Sequence, residues 1–290
     1  MKLAIGGAQF GLSYGIANNT GQVDQVEAKK ILEFAASQGI DTIDTAIAYG
    51  NSEMCLGAIG LHNYKVITKL PPLPEVCEDV STWAYENITG SISRLGCNYI
   101  YGLMLHHPDD LLGASGRHLY EAIKGIKNDG LVKKIGASIY SPTELDAILS
   151  KFDLDIIQAP FNLVDHRLLM TGWLDRLKKY DIEIHTRSSF LQGLLLMPRE
   201  KIPKQFSRWN SLWDYWSDWL QERNIMPAKV CIDFVQSFEQ IDRIIVGVDN
   251  LAQLNQLVAL SIEPLSLDFP IMISNDENLI NPVNWSRLEK

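Results

Sequence analysis

An α/β fold, a single-domain (β/α)8 TIM barrel, is predicted by three observations. Eight short runs rich in β-branched residues are present, an amphipathic stretch follows each, and the eight units fit into roughly 250 residues. A doubly wound sheet usually has fewer strands and a Gly-rich first turn, and the opening GGAQFG lacks the GxGxxG spacing.

The first run, residues 3–10 (LAIGGAQF), is interrupted by Gly6 and Gly7 and is too short for a signal-peptide core or a membrane span, so it is expected to be a buried strand. Residues 24–37 (DQVEAKKILEFAAS) then have helical spacing, and Gly39 stops them. Strands are expected at 40–46 (IDTIDTA), 65–70 (KVITKL), 99–106 (YIYGLMLH), 134–139 (KIGASI), 155–161 (DIIQAPF), 182–188 (IEIHTRS) and 243–248 (RIIVGV). Between them lie helical stretches such as 81–96, with Ser81 as its N-cap and Gly96 as its stop, and 118–130. No Pro-, Gly- or Ser-rich linker divides the chain, so one barrel is expected over 1–290. A long connection at 196–210 follows the seventh strand, and 262–290 forms an irregular tail. The spacing of Trp213, Trp216 and Trp219 predicts a buried helix stripe; Trp209 just before it, and Trp285 in the tail, are alternatives for an apolar wall of a pocket.

The 290 residues are 46% hydrophobic, enough for a continuous core, and the net charge of -9 argues against partners such as nucleic acid or an anionic membrane surface. Cys55, Cys77, Cys97 and Cys231 are widely spaced and form no CxxC or Cys/His pair, which fits a reducing cytoplasm and suggests neither zinc nor a disulfide framework.

Chemistry on such a barrel collects at the C-terminal strand ends. Asp44 ends the second strand, Tyr49 follows in its loop, Lys69 ends the third strand and His106 the fourth. Singly, each is more often a satisfied structural group; together they suggest carbonyl reduction. A buried cation beside a phenol is expected to lower its pKa and help it transfer a proton. Asp44 would hold Lys69, and His106 would donate to a carbonyl oxygen as charge develops. His107, Asp109, Asp110, His118, His166 and His185 are expected to be loop, capping or structural residues, and Cys55 and Cys97 small core residues.

The motifs DTAIAYG, VITKL, LHHPD and IGAS closely resemble those of the aldo-keto reductases over almost the whole chain. The resemblance implies an NAD(P)H-dependent oxidoreductase acting on an aldehyde or ketone, with Asp44, Tyr49, Lys69 and His106 as its catalytic tetrad. It also implies cofactor contacts from Gly7, Ala8 and Gln9, from Asp44, from Ser138, Gln158, Arg187 and Ser188, and from Gly247, Gln253 and Gln256. Two departures stand out. Ile139 occupies a position where many members have Asn, and Gly247 and Gln253 replace cations that grip the 2′-phosphate of NADPH, which leaves NADPH and NADH both open. RSSFLQGLLLM and NPVNW are similar to a bacterial branch associated with sugar and surface-polysaccharide metabolism, implying a keto-sugar substrate; a monomer is the family default. Two other classes fit the fold: a nicotinamide-sensing module resembling the potassium-channel β subunits, and a non-redox barrel using Lys69 as a Schiff-base amine.

Overall fold

The computed structural model describes residues 1–266 and 268–288, so residues 267, 289 and 290 of the tail lie outside the described residues. Strand β1 (Leu3–Gly6) is followed by α1 (Gln25–Ser37), β2 (Thr42–Asp44), α2 (Ser52–Ile59), β3 (Lys65–Leu70), α3 (Val80–Leu95), β4 (Ile100–Leu105) and α4 (Gly116–Asn128). The second half runs β5 (Val132–Ser138), α5 (Thr143–Leu149), β6 (Ile156–Pro160), α6 (Arg167–Met170), α7 (Trp173–Lys179) and β7 (Glu183–Arg187). It continues with α8 (Asn210–Arg223), α9 (Pro227–Gln236), β8 (Arg243–Val246), α10 (Leu251–Leu260) and α11 (Glu277–Ile280). All eight strands are parallel and close into a barrel in sequence order, with β1 pairing to β8 through Leu3 and Ile244. This is the single-domain (β/α)8 barrel that the alternating pattern predicts.

The strands are shorter than their apolar runs. β1 stops at Gly6 because Gly7 leaves the extended region, at φ -90° and ψ 0°, and Ala8–Phe10 curl into a 3-10 turn, while the Gly7 amide still donates to the Asp44 carbonyl at 2.7 Å as the last rung of the β1–β2 ladder. Gly7 fits this position because an added Cβ would stand 3.0 Å from Ser52 Oγ and 3.1 Å from Asp44 O. Helix α1 is capped by Asp24, whose side chain accepts from the Glu27 amide, leaving Ile31, Leu32 and Ala35 to face the barrel. Helix α3 begins earlier than expected. Its N-cap is Asp79, which accepts from the Thr82 amide and hydroxyl, so Ser81 lies inside the helix, while Gly96 ends it in the left-handed conformation.

Inside the barrel, Ile67, Met104 and Ile156 pack together, and Gly102 makes room for them: a Cβ there would come within 2.6 Å of Ile67 Cδ1 and 2.8 Å of Ile156 Cδ1. At the N-terminal end, Glu183 accepts from His185 and Tyr101 and pairs with Lys134, so His185 is a structural residue. His166 stacks on Phe234, and His118 is exposed. Asp110 does not cap a helix; it accepts from the Leu73 amide and joins the loops after β3 and β4.

Helix α8 buries Trp213, Trp216 and Trp219, as its spacing predicts. Trp209 precedes it and packs near Phe206, on whose ring the edge of Trp285 also rests, with centroids 4.8 Å apart. The tail is thereby pinned to the long connection after β7 through buried aromatic area. Among the described residues, no helix is long and apolar enough to cross a membrane.

Candidate active site

The register of the closed sheet brings the C-terminal strand ends to one mouth. Gly6 aligns with Asp44, Asp44 with Ile67, Ser138 with Gln158, and Pro160 with Arg187. β2 and β6 face each other across the barrel, yet Gln158 Nε2 donates to Asp44 Oδ1 at 2.7 Å, so a side-chain bridge spans the lumen. Ser138 Oγ donates to Gln158 Oε1 at 2.9 Å, and Lys69 Nζ donates to Asp44 Oδ2 at 2.6 Å and to the Thr45 carbonyl at 2.9 Å. One continuous polar chain therefore runs Ser138–Gln158–Asp44–Lys69. Each link satisfies a group whose burial would otherwise be costly.

Tyr49 stands above this chain in the loop between β2 and α2. Its ring centroid lies 5.2 Å from Lys69 Nζ and 5.7 Å from the His106 ring, which it meets edge to face. The loop has a fixed seat: the Gly11 backbone approaches so closely that a Cβ there would lie 1.8 Å from the Tyr49 carbonyl oxygen. Thus Asp44, Tyr49, Lys69 and His106, expected together from three strand ends, are together. His107 is exposed at the edge of the cluster, with its ring 6.1 Å from that of His106.

The electrostatics differ from the sequence expectation at Tyr49. Burial, reinforced by the Asp44 carboxylate, pushes the phenol above its ordinary pKa, and the Arg187 guanidinium only partly opposes this. The buried Lys69 ammonium directs its hydrogen bonds to Asp44 and Thr45 and not to the phenol oxygen. Tyr49 is consequently held in its protonated form, which is the form a proton donor requires. Burial also pulls the Lys69 pKa down, against the pull of Asp44. His106 falls to about 4 through burial, with the Lys69 charge adding to the effect, so its ring is neutral near pH 7 and carries one N–H to donate.

A cavity of about 400 Å³ opens beside Tyr49 and Asp44. Every residue expected to contact a cofactor lines it except Ser138, which stands behind Gln158: Gly7, Ala8, Gln9, Asp44, Gln158, Arg187, Ser188, Gly247, Gln253 and Gln256. Lys69 and His106 lie outside the lining, beneath and beside Tyr49. Trp209 and Trp285 do not line this cavity; both are engaged around Phe206. Arg187 donates to the Ile139 carbonyl at 3.0 Å, and its guanidinium lies 4.9 Å from the Tyr140 ring centre. Ile139 thus contributes its backbone where a side-chain amide is absent.

Several cavity residues carry no local sequence signal. Tyr14 accepts from Gln192 Nε2 at 3.3 Å and joins the loops after β1 and β7 over the cavity; Asn18 and Asp249, joined by a hydrogen bond, also line it. In the β7 loop, Ser188, Leu191 and Gln192 have φ of 63°, 48° and 53°. Three non-glycine residues in the left-handed region mark a loop held in place by its surroundings, which is common around ligand sites.

A profile of the Aldo/keto reductase family matches residues 2–269. The chain is 27% identical over 159 residues to Aldo-keto reductase YhdN of Bacillus subtilis (strain 168), covering 51% of this chain and 47% of that protein. It is also 27% identical over 180 residues to the uncharacterized oxidoreductase YqkF of the same organism, covering 58% of each. The matches therefore span about half the length of these relatives. Among solved structures, it superposes on aldo-keto reductase AKR11C1 from Bacillus halodurans (holo form) with a TM-score of 0.72 at 18% identity, covering 91% of this chain and 88% of the other. The glycerol dehydrogenase AKR11B4 from Gluconobacter oxydans gives a TM-score of 0.69 at 20% identity, with the same coverages.

Proposed function

The chain belongs to the aldo/keto reductase family, and on that premise we propose that it is an NAD(P)H-dependent oxidoreductase that reduces an aldehyde or ketone to an alcohol. The observation that carries the reading is the Tyr49 phenol beside His106, above the Lys69–Asp44–Gln158–Ser138 chain and bordering a cavity lined by residues from β1, β7 and α10.

The lining residues suit a dinucleotide. Gly247 keeps the wall low: a Cβ there would stand 2.1 Å from Gln9 Nε2. Gln158 has one amide hydrogen and one carbonyl lone pair left after its bonds to Asp44 and Ser138, which matches the donor and acceptor needs of a carboxamide. Arg187, held by Ile139 and lying over Tyr140, presents a planar guanidinium to the cavity. When bound, the reduced nicotinamide supplies the hydride that the carbonyl carbon accepts. Tyr49 gives its phenolic proton to the carbonyl oxygen, and the His106 N–H stabilises the charge that grows there. Lys69 stabilises the phenolate left behind, and Asp44 keeps Lys69 in place.

A small-molecule carbonyl compound, a keto-sugar among the candidates, is the proposed substrate, and the cytoplasm the proposed site of action for a monomer. The test is oxidation of NADH or NADPH by the purified protein in the presence of aldehydes, ketones and keto-sugars. Carbonyl-dependent oxidation is expected; tight cofactor binding without turnover on the whole panel would favour a sensing module.

A further inference from the structure

The geometry points to Asp249 as a specificity-determining residue that selects NADH over NADPH; this rests on the oxidoreductase reading above. With the hydride donor beside Tyr49, a dinucleotide filling the cavity would carry its adenosine toward the part lined by Asn18, Asp249, Gln253 and Gln256, which come from the loops after β1 and β8 and from α10. Among the described residues, Arg187 is the one Lys or Arg lining the cavity, and its charge acts on Tyr49. The part formed by the loop after β8 and by α10 carries a carboxylate and amides.

Asp249 is built in. Its Oδ1 accepts from Asn18 Nδ2 at 3.1 Å, its backbone amide donates to Gln253 Oε1 at 2.8 Å, and Gln253 Nε2 stands 3.5 Å from its Oδ2. A carboxylate has about four lone-pair sites, so acceptors remain for a ribose diol, the group a carboxylate reads in other dinucleotide sites.

Two amides at the N-terminus of α10, which would otherwise attract a phosphate, are also taken. Asn250 Oδ1 accepts from the Gln253 amide, and Glu27 Oε1, arriving from α1, accepts from the Leu251 amide at 2.8 Å. The nearby cation, Lys30, is paired with Glu27 Oε2 at 3.0 Å. A 2′-phosphate dianion would meet the Asp249 carboxylate and find the Leu251 and Gln253 amides already satisfied, whereas a free 2′-hydroxyl can donate to Asp249. Glu27 is a positioning residue that closes the helix end.

The test is calorimetric titration of the full chain with NADH and with NADPH, using wild type, Asp249→Asn and the exposed-site variant Gln253→Arg, with thermal unfolding as the folding control. Wild type is expected to bind NADPH at least about tenfold more weakly than NADH, and Asp249→Asn to bring the two within about threefold. Gln253→Arg is expected to tighten NADPH by about tenfold with little change for NADH, since it supplies a charge-assisted partner. Equal or tighter binding of NADPH to wild type would overturn the selectivity and leave the oxidoreductase reading standing. An unchanged ratio in a folded Asp249→Asn variant would remove Asp249 from the role, and binding of neither dinucleotide would overturn both readings.

Discussion

Replacing Asp44 with Asn leaves the fully buried Lys69 ammonium with the Thr45 carbonyl as its remaining strong acceptor. The substitution is nearly isosteric, and the bond from Gln158 can persist to the amide oxygen, so the change isolates the charge of the pair at 2.6 Å. Removing one partner of a buried ion pair costs about 3–5 kcal/mol, a large part of a total stability of about 5–15 kcal/mol. The cost depends on pH. Burial already holds the Lys69 pKa below its ordinary value, so between the folded and unfolded pKa the unfolded chain binds more protons and stability rises with pH. Without Asp44 the depression deepens and the window extends downward, and much of the lost stability should return between about pH 7 and about pH 9.5 as Lys69 sheds its proton. Urea unfolding of wild type, Asp44→Asn, Lys69→Met and the double variant at both pH values measures this. The double variant is expected to be more stable than Asp44→Asn alone, since it leaves no unpaired charge. A cost below about 1 kcal/mol for Asp44→Asn, or a cost unaffected by pH, would refute the argument that Lys69 is a buried charge held by Asp44.

Two further outcomes follow from the seat of Tyr49 and the state of His106. In Gly11→Ala the new methyl meets the Tyr49 carbonyl oxygen and the Ser52 amide, both backbone atoms, so the loop must move; turnover should fall by about a hundredfold, as for a catalytic group displaced by about 1 Å, and wild-type kinetics would show that the seat is not needed. In a proton NMR titration His106 should change charge near about 4, and because the unfolded chain binds the proton more readily between this value and 6.5, His106 should make stability fall as pH drops through that window. A midpoint at the ordinary histidine value would contradict the burial assigned to it.

The barrel was legible because its evidence is local. Each strand run and the stop Gly96 are written in neighbouring residues, and the ordered motifs from DTAIAYG to IGAS mark the strand ends. The ends of elements were less legible: β1 ends where Gly7 turns out of the extended region against Ser52 and Asp44, both distant in sequence, and Asp79 outcompetes Ser81 as a cap by binding Thr82 twice. The direction of the Tyr49 shift was not legible, because it depends on how deeply the phenol is buried and on where Lys69 aims its ammonium. Tyr14 with Gln192, and Asn18 with Asp249, escaped notice for a similar reason. The members of the second pair lie 231 positions apart and no spacing links them.

The central claim is that Tyr49 delivers the proton in carbonyl reduction, and its most direct measurement is the turnover of Tyr49→Phe against its cofactor affinity. The phenol makes no side-chain hydrogen bond that holds the fold among the described residues, so the variant should fold and bind the dinucleotide about as well as wild type. Its kcat with the best carbonyl substrate should fall by about 10²–10⁴-fold, the usual worth of a positioned general acid. Turnover equal to wild type at saturating cofactor would contradict the account.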